Sequence, residues 1–181
     1  MKRIVFFILT FVCFSIFANA QDAKLNLDSF NNLEAKASDT VEVNLDGKIL
    51  ETAKRVLFKI DDKDAKTVGE VIKGLQGVYV RAYSFEKDNE FSDSQVEAVR
   101  SQLEGEGWQR LARVRSKKEN QKVDVLVMYA GENITGLAVL VSEKRQIVVV
   151  NVVGEIDLET LMALGGKMNI PELTTEEAPA Q

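Results

Sequence analysis

Four strand-forming runs in succession constrain this chain more than any other feature: Trp108 to Arg115, Val123 to Ala130, Ile134 to Val141 and Gln146 to Val153. They are joined by Ser116 to Gln121, Gly131-Glu132-Asn133 and Ser142 to Arg145, all of hairpin length. Strands linked so briefly must pair with their successors and run antiparallel, so the second half of the chain is expected to be a β-meander. After its first residue pair the Val123 run is apolar on both faces, and Ile147-Val148-Val149-Val150-Asn151-Val152-Val153 is so almost throughout. A strand of that kind is expected in the sheet interior, covered on each side.

The first half alternates helical and extended patterns. Asp28 to Lys36 reads as a short helix with Phe30, Leu33 and Ala37 on one side, and Thr40 to Leu45 as a half-buried strand with Val41, Val43 and Leu45 on one face. From Lys48 to Ile60, apolar residues recur every three or four positions. A second helix follows Asp61-Asp62 and runs to about Leu75, with Gly77 placed to end it, so the two form a helical hairpin. Val78 to Phe85 is β-branched and aromatic. Ser92 and Gln95 have capping-box spacing ahead of an inward stripe of Val96, Val99 and Leu103, which Gly105 and Gly107 stop before Trp108, read as a core plug. Asp157 opens a last helix through Leu158, Leu161, Met162 and Leu164. The chain is thus expected to be one α+β domain over residues 21–170: a single antiparallel β-meander sheet of about five strands, packed by helices, with an N-terminal helical hairpin over one face. Residues 171–181 read as a disordered acidic tail.

Lys2 and Arg3, the apolar run Ile4 to Phe17, and Ala18-Asn19-Ala20 make a secretory signal peptide over residues 1–20. Its apolar part is shorter than the roughly 20 residues that span a bilayer, so no transmembrane segment is expected after cleavage before Gln21. The chain's one cysteine, Cys13, leaves with the leader. Thr10-Phe11-Val12 ahead of it do not fit a lipoprotein signal. Loss of Lys2 and Arg3 leaves 21 basic against 28 acidic residues, a formal charge of -7, which argues against nucleic acid as a partner.

The chain has no histidine, and without Cys13 no thiol. Imidazole-based triads, thiol nucleophiles and zinc or copper sites built on those ligands are therefore closed, leaving carboxylates, Ser with Lys, Tyr, or a hard cation. Asp61-Asp62-Lys63-Asp64 lacks the alternation, glycine and distal glutamate of a calcium loop and reads as a helix start. No catalytic, cofactor-binding or metal residues are assigned. Lys117-Lys118 with Arg110, Arg113 and Arg115 is the one basic concentration, and strict alternation sets Arg113 and Arg115 on a face with Gln109 and Leu111. Tyr79, Arg81, Tyr83 and Phe85 share another strand face. Tyr79, Arg81, Tyr83, Arg113 and Arg115 are the candidate interaction residues; a covered strand and a charged, aggregation-resistant edge are the simpler readings of the two groups.

Ile72-Lys73-Gly74-Leu75-Gln76-Gly77-Val78, the Gly107-Trp108 step, and Val150-Asn151-Val152-Val153-Gly154-Glu155-Ile156-Asp157-Leu158 followed by Leu161 resemble the exported bacterial proteins of domain-of-unknown-function family forty-two fifty-two. The resemblance runs from about Leu25 to Ile170 and implies the periplasm or outer envelope of a Gram-negative bacterium, in a setting linked to envelope stress sensing. It carries no catalytic residues across. The expected function is a non-enzymatic binding or protein-interaction module for an envelope protein or small ligand, with homo-oligomers open. The alternatives are a carrier of a lipid or other apolar ligand, and a hydrolase using carboxylates or a Ser/Lys pair, with Ser84, Ser92 or Ser116 as nucleophile.

Overall fold

In the computed structural model, which describes residues 23–118 and 120–157, six strands form one antiparallel sheet. They are β1 (Asp39–Asp46), β2 (Leu75–Ser84), β3 (Trp108–Ser116), β4 (Gln121–Ala130), β5 (Asn133–Ser142) and β6 (Gln146–Ile156), in the order β1-β2-β6-β5-β4-β3. The meander from β3 to β6 follows from its short links. β2 then pairs with the free side of β6 rather than with β3, which puts the most apolar strand inside the sheet and leaves β1 and β3 at the edges. The sheet therefore has six strands where about five were expected. The expected signal peptide, the helix after Asp157 and the acidic tail lie outside the described residues.

Helices α1 (Gly47–Leu57), α2 (Lys63–Lys73) and α3 (Asp93–Arg100) complete the elements, with 3-10 turns at Asp28–Phe30 and Ser101–Glu104. The expected Asp28 to Lys36 helix is only the first of those turns followed by further hydrogen-bonded turns, which together deliver Phe30 and Leu33 to the core at 1% and 0% exposure. Asp62 starts α2 as the acidic cluster suggested, its Oδ1 accepting the Ala65 N–H at 2.9 Å. α2 does not run on to Leu75, which is instead the first residue of β2. The turn falls at Gly74, where an added Cβ would lie 2.5 Å from the Glu155 carbonyl oxygen; that closeness lets the Glu155 N–H donate to the Gly74 carbonyl at 3.0 Å. In α3, the Ser92 hydroxyl accepts from the Gln95 N–H while the Gln95 side chain accepts from the Ser92 N–H, completing the capping box.

The register sorts the strands into two contrasting faces. On the first, Tyr83, Ile147, Val149, Leu140, Leu126 and Ala138 meet Phe30 and Leu33 from the N-terminal turns and Val96, Val99 and Leu103 from α3 and its 3-10 extension. Trp108 packs against this core as a half-buried plug. Asn151, fully buried in its centre, accepts the Leu25 N–H on Oδ1 at 2.9 Å and donates from Nδ2 to the Ala23 carbonyl at 2.9 Å. One polar side chain thus fastens the start of the described chain across β6 and satisfies two backbone groups that burial would otherwise strand. On the second face, a smaller cluster of Leu50, Leu75 and Ile156 gathers Ile72, Val78, Ile134, Leu137 and Val152 at one end of the sheet.

Candidate interaction surface

Two features stand apart from the core, one on each face. On the second face, cross-strand partners line up in rows across the whole sheet. One row reads Val43, Val80, Val150, Val139, Val125, Ala112 from β1 to β3. The next reads Val41, Ala82, Val148, Val141, Val123, Val114. Every one of these residues is half-buried or exposed, whereas their neighbours Val149 and Leu140, pointing the other way, are each 1% exposed. The apolar cluster that α1 and α2 share with the sheet reaches the third row, at Val78, Val152 and Leu137, and stops there. The outcome differs from the expectation of a β6 covered on each side throughout: on the second side it is covered toward Val152 and Ile156, while Val148 and Val150 stay only half-buried. Strand spacings put the uncovered rows at on the order of 400 Å² in projection, a size at which an apolar patch on a monomer is often functional.

On the first face, at the β3 edge, four arginines surround one carboxylate. Asp124 is 1% exposed. It accepts from Arg115 Nη2 at 2.8 and 2.9 Å and from Arg113 Nε at 3.0 Å, while Arg110 Nε stands at 3.5 Å and Arg100 Nε at 3.6 Å. Burial works against the charged carboxylate, but the Arg115 and Arg113 hydrogen bonds and charges outweigh it and hold the group below its ordinary range. Arg100 also pairs with Glu97 at 2.7 Å, and its buried Nε makes no hydrogen bond.

Sequence reasoning found part of this group. Arg113 and Arg115 share a face, but not with Gln109 and Leu111 as alternation suggested, because a bulge at Leu111 breaks the register between Arg110 and Ala112. Arg110 is thereby turned onto the Arg113 side and Gln109 onto the valine side. Asp124 and Arg100 were not singled out; the signal available for Asp124 was a charged residue in the middle of an apolar run, and none marked Arg100.

Tyr79, Arg81 and Tyr83 lie on β2 of the same face, with β6, β5 and β4 between them and the arginines, so the candidate residues do not form one site. Tyr83 is a core residue at 4% exposure, edge-on to Phe30, and burial raises its phenol pKa. Arg81 pairs with Glu42 at 2.9 Å, and the Tyr79 hydroxyl donates to Asp46 at 3.0 Å beneath the Lys24 ammonium. Tyr83 is thus part of the core, while Tyr79 and Arg81 are half-buried and line a cleft of about 460 Å³ with Lys24, Asn44 and Asp46. Among the described residues no three carboxylates gather where they would hold a metal ion. The Ser92 hydroxyl is occupied with Gln95 and Ser94 rather than with a lysine. A cleft of about 790 Å³ is lined mainly by polar side chains such as Ser29, Asn32, Gln95 and Glu143, an unfavourable bed for an acyl chain. No described helix is long and apolar enough to cross a membrane.

Residues 31–164 match the family described as a domain of unknown function (DUF4252). The chain belongs to that family. The match takes in every described strand, and no curated protein matches the chain. Two of the segments by which DUF4252 was recognisable have a structural reason in this chain, since Gly74 and Gly154 stand where the start of β2 and the end of β6 touch. Gly154 has φ +121°, and a Cβ there would lie 2.5 Å from both the Gln76 nitrogen and the Gly74 oxygen.

Proposed function

We propose that this DUF4252 protein is an exported, non-enzymatic binding module of the bacterial envelope, and that it docks a protein partner on the two valine rows. The observation that carries this reading is the contrast within single strands: alternate residues of β5 and β6 are fully covered on one side and left half-exposed on the other. On this reading α1 and α2 act as an N-terminal hairpin that closes one end of the face and leaves the remainder to the partner. Burying such rows against a second apolar surface is worth about 25 cal/mol per Å² before the costs of association are met. Export is supported by the leader-like residues 1–20, and a non-enzymatic role by the absence of histidine and of any thiol but Cys13. A role in envelope stress sensing would place the partner among envelope proteins.

Site-specific photo-crosslinking in the native cell tests the reading. A crosslinking residue at Val139 is expected to give a discrete protein adduct in the envelope fraction, and one at adjacent Leu140 to give none. Val150→Glu, which sets a charge beside Val139 in the same row, should remove the adduct while costing about 1 kcal/mol of stability, because the site is already half-exposed. Equal labelling from Val139 and Leu140, or an adduct that survives Val150→Glu, would count against it.

A further inference from the structure

We propose that β3 is a docking edge for an extended acidic segment of a partner protein, which adds to the sheet as a further strand. This goes beyond the valine-face reading and stands independently of it. β3 ends the strand order, so its outer backbone N–H and C=O groups face no strand among the described residues. Such an edge is normally protected, and its arginines do oppose pairing with another copy of itself, since β3 against β3 would set guanidinium against guanidinium. They do not oppose every strand.

Charge defines which strand fits. Four guanidiniums converge on Asp124, and among the described residues Glu97 is the one other carboxylate paired to any of them, so positive charge is left over there in a chain that is otherwise acidic. Arg110, Arg113 and Arg115 keep about a third or more of their side-chain surface in solvent, and Lys117, Lys118 and Lys122 are exposed beside them. Arg113 and Arg115, two residues apart, project with the roughly 6.8 Å repeat of one strand face, which carboxylates at alternate positions of an added strand reproduce. On the opposite face of β3, Ala112 and exposed Val114 alternate with them, continuing the valine rows to the edge. The occupant that satisfies both faces and the free backbone is a segment alternating acidic with apolar residues, bound by strand addition. A polyphosphate or other polyanion would meet the arginines but leave the backbone edge and Val114 unused.

The test titrates the full chain with a fluorescein-labelled Glu-Val repeat peptide of about eight residues, the length of a typical strand. Controls are the Lys-Val counterpart, the Glu-Val peptide N-methylated along its centre so that it keeps its charges but cannot bond to a strand, and inorganic polyphosphate. Anisotropy should show binding by the Glu-Val peptide alone among the peptides, weakening with salt, with slowed amide exchange over residues 109–115. Arg110→Gln should weaken that binding about threefold, as expected for an exposed charge pair, without changing the melting temperature, since Arg110 makes no hydrogen bond to Asp124. The proposal is overturned if the Glu-Val peptide does not bind, if the Lys-Val or N-methylated peptide binds equally well, or if polyphosphate binds where the peptide does not.

Discussion

Gly154→Ala is expected to destabilise the protein by roughly 3 to 5 kcal/mol and to lower its melting temperature by about 10 °C. Two costs combine there. The backbone has φ +121°, which a side chain rarely tolerates, and the new Cβ would meet main-chain atoms of Gly74, Leu75 and Gln76 within 2.6 Å. Main chain cannot swing aside as a flexible side chain can, so β2 and β6 would have to part where their register already shifts between Leu75 and Gly77. Gly131→Ala is the control: φ is +64° and a Cβ there would meet nothing within 4 Å, so only the conformational cost applies, about 1 kcal/mol. Thermal unfolding followed by circular dichroism separates the two. Equal effects at both glycines would show that close approach at Gly154 is not what the residue serves.

Asp124→Asn is expected to cost about 3 kcal/mol, because it removes the charge that four guanidiniums share and leaves them repelling one another at a partly buried site. Its pH dependence distinguishes this from a packing loss. The Asp124 carboxyl is held below its unfolded value by Arg115 and Arg113 against the opposing effect of burial, so its contribution is complete above about pH 4 and is lost as pH falls through the lower folded value. Denaturant unfolding of wild type should therefore show stability falling below about pH 4, and the Asn variant should show a shallower fall. Parallel curves for the two proteins in that range would remove Asp124 from the account of acid sensitivity.

What could be read from the sequence was what local chemistry dictates. The Ser92–Gln95 capping box, the buried Val96, Val99 and Leu103, and the meander of β3 to β6 depend on spacings of a few residues, and all are found in the structure. The position of β2 beside β6 was not legible, because it depends on which edge the helical crossover through α3 reaches. The arginine cluster was half-legible. Alternation placed Arg113 and Arg115 together, but one extra residue at Leu111 reverses the faces of everything before it, and nothing in Gln109-Arg110-Leu111-Ala112 announces a bulge. The valine face was only partly legible, for a different reason. A strand apolar on both sides has the same pattern whether its second side meets a helix of its own chain or another molecule, so β6 looked like a strand covered twice.

On the proposed reading, the row through Val80, Val150, Val139 and Val125 is open to solvent in the free protein. Methyl spectra recorded with and without a water-soluble nitroxide test it most directly, since broadening reports the approach of solvent to each methyl. Clear broadening is expected at Val125, Val139 and Val150, less than at the exposed edge residue Val41, with Val149 and Leu140 on the covered face unaffected. Methyls of Val125, Val139 and Val150 as sharp as those of Val149 and Leu140 would contradict it.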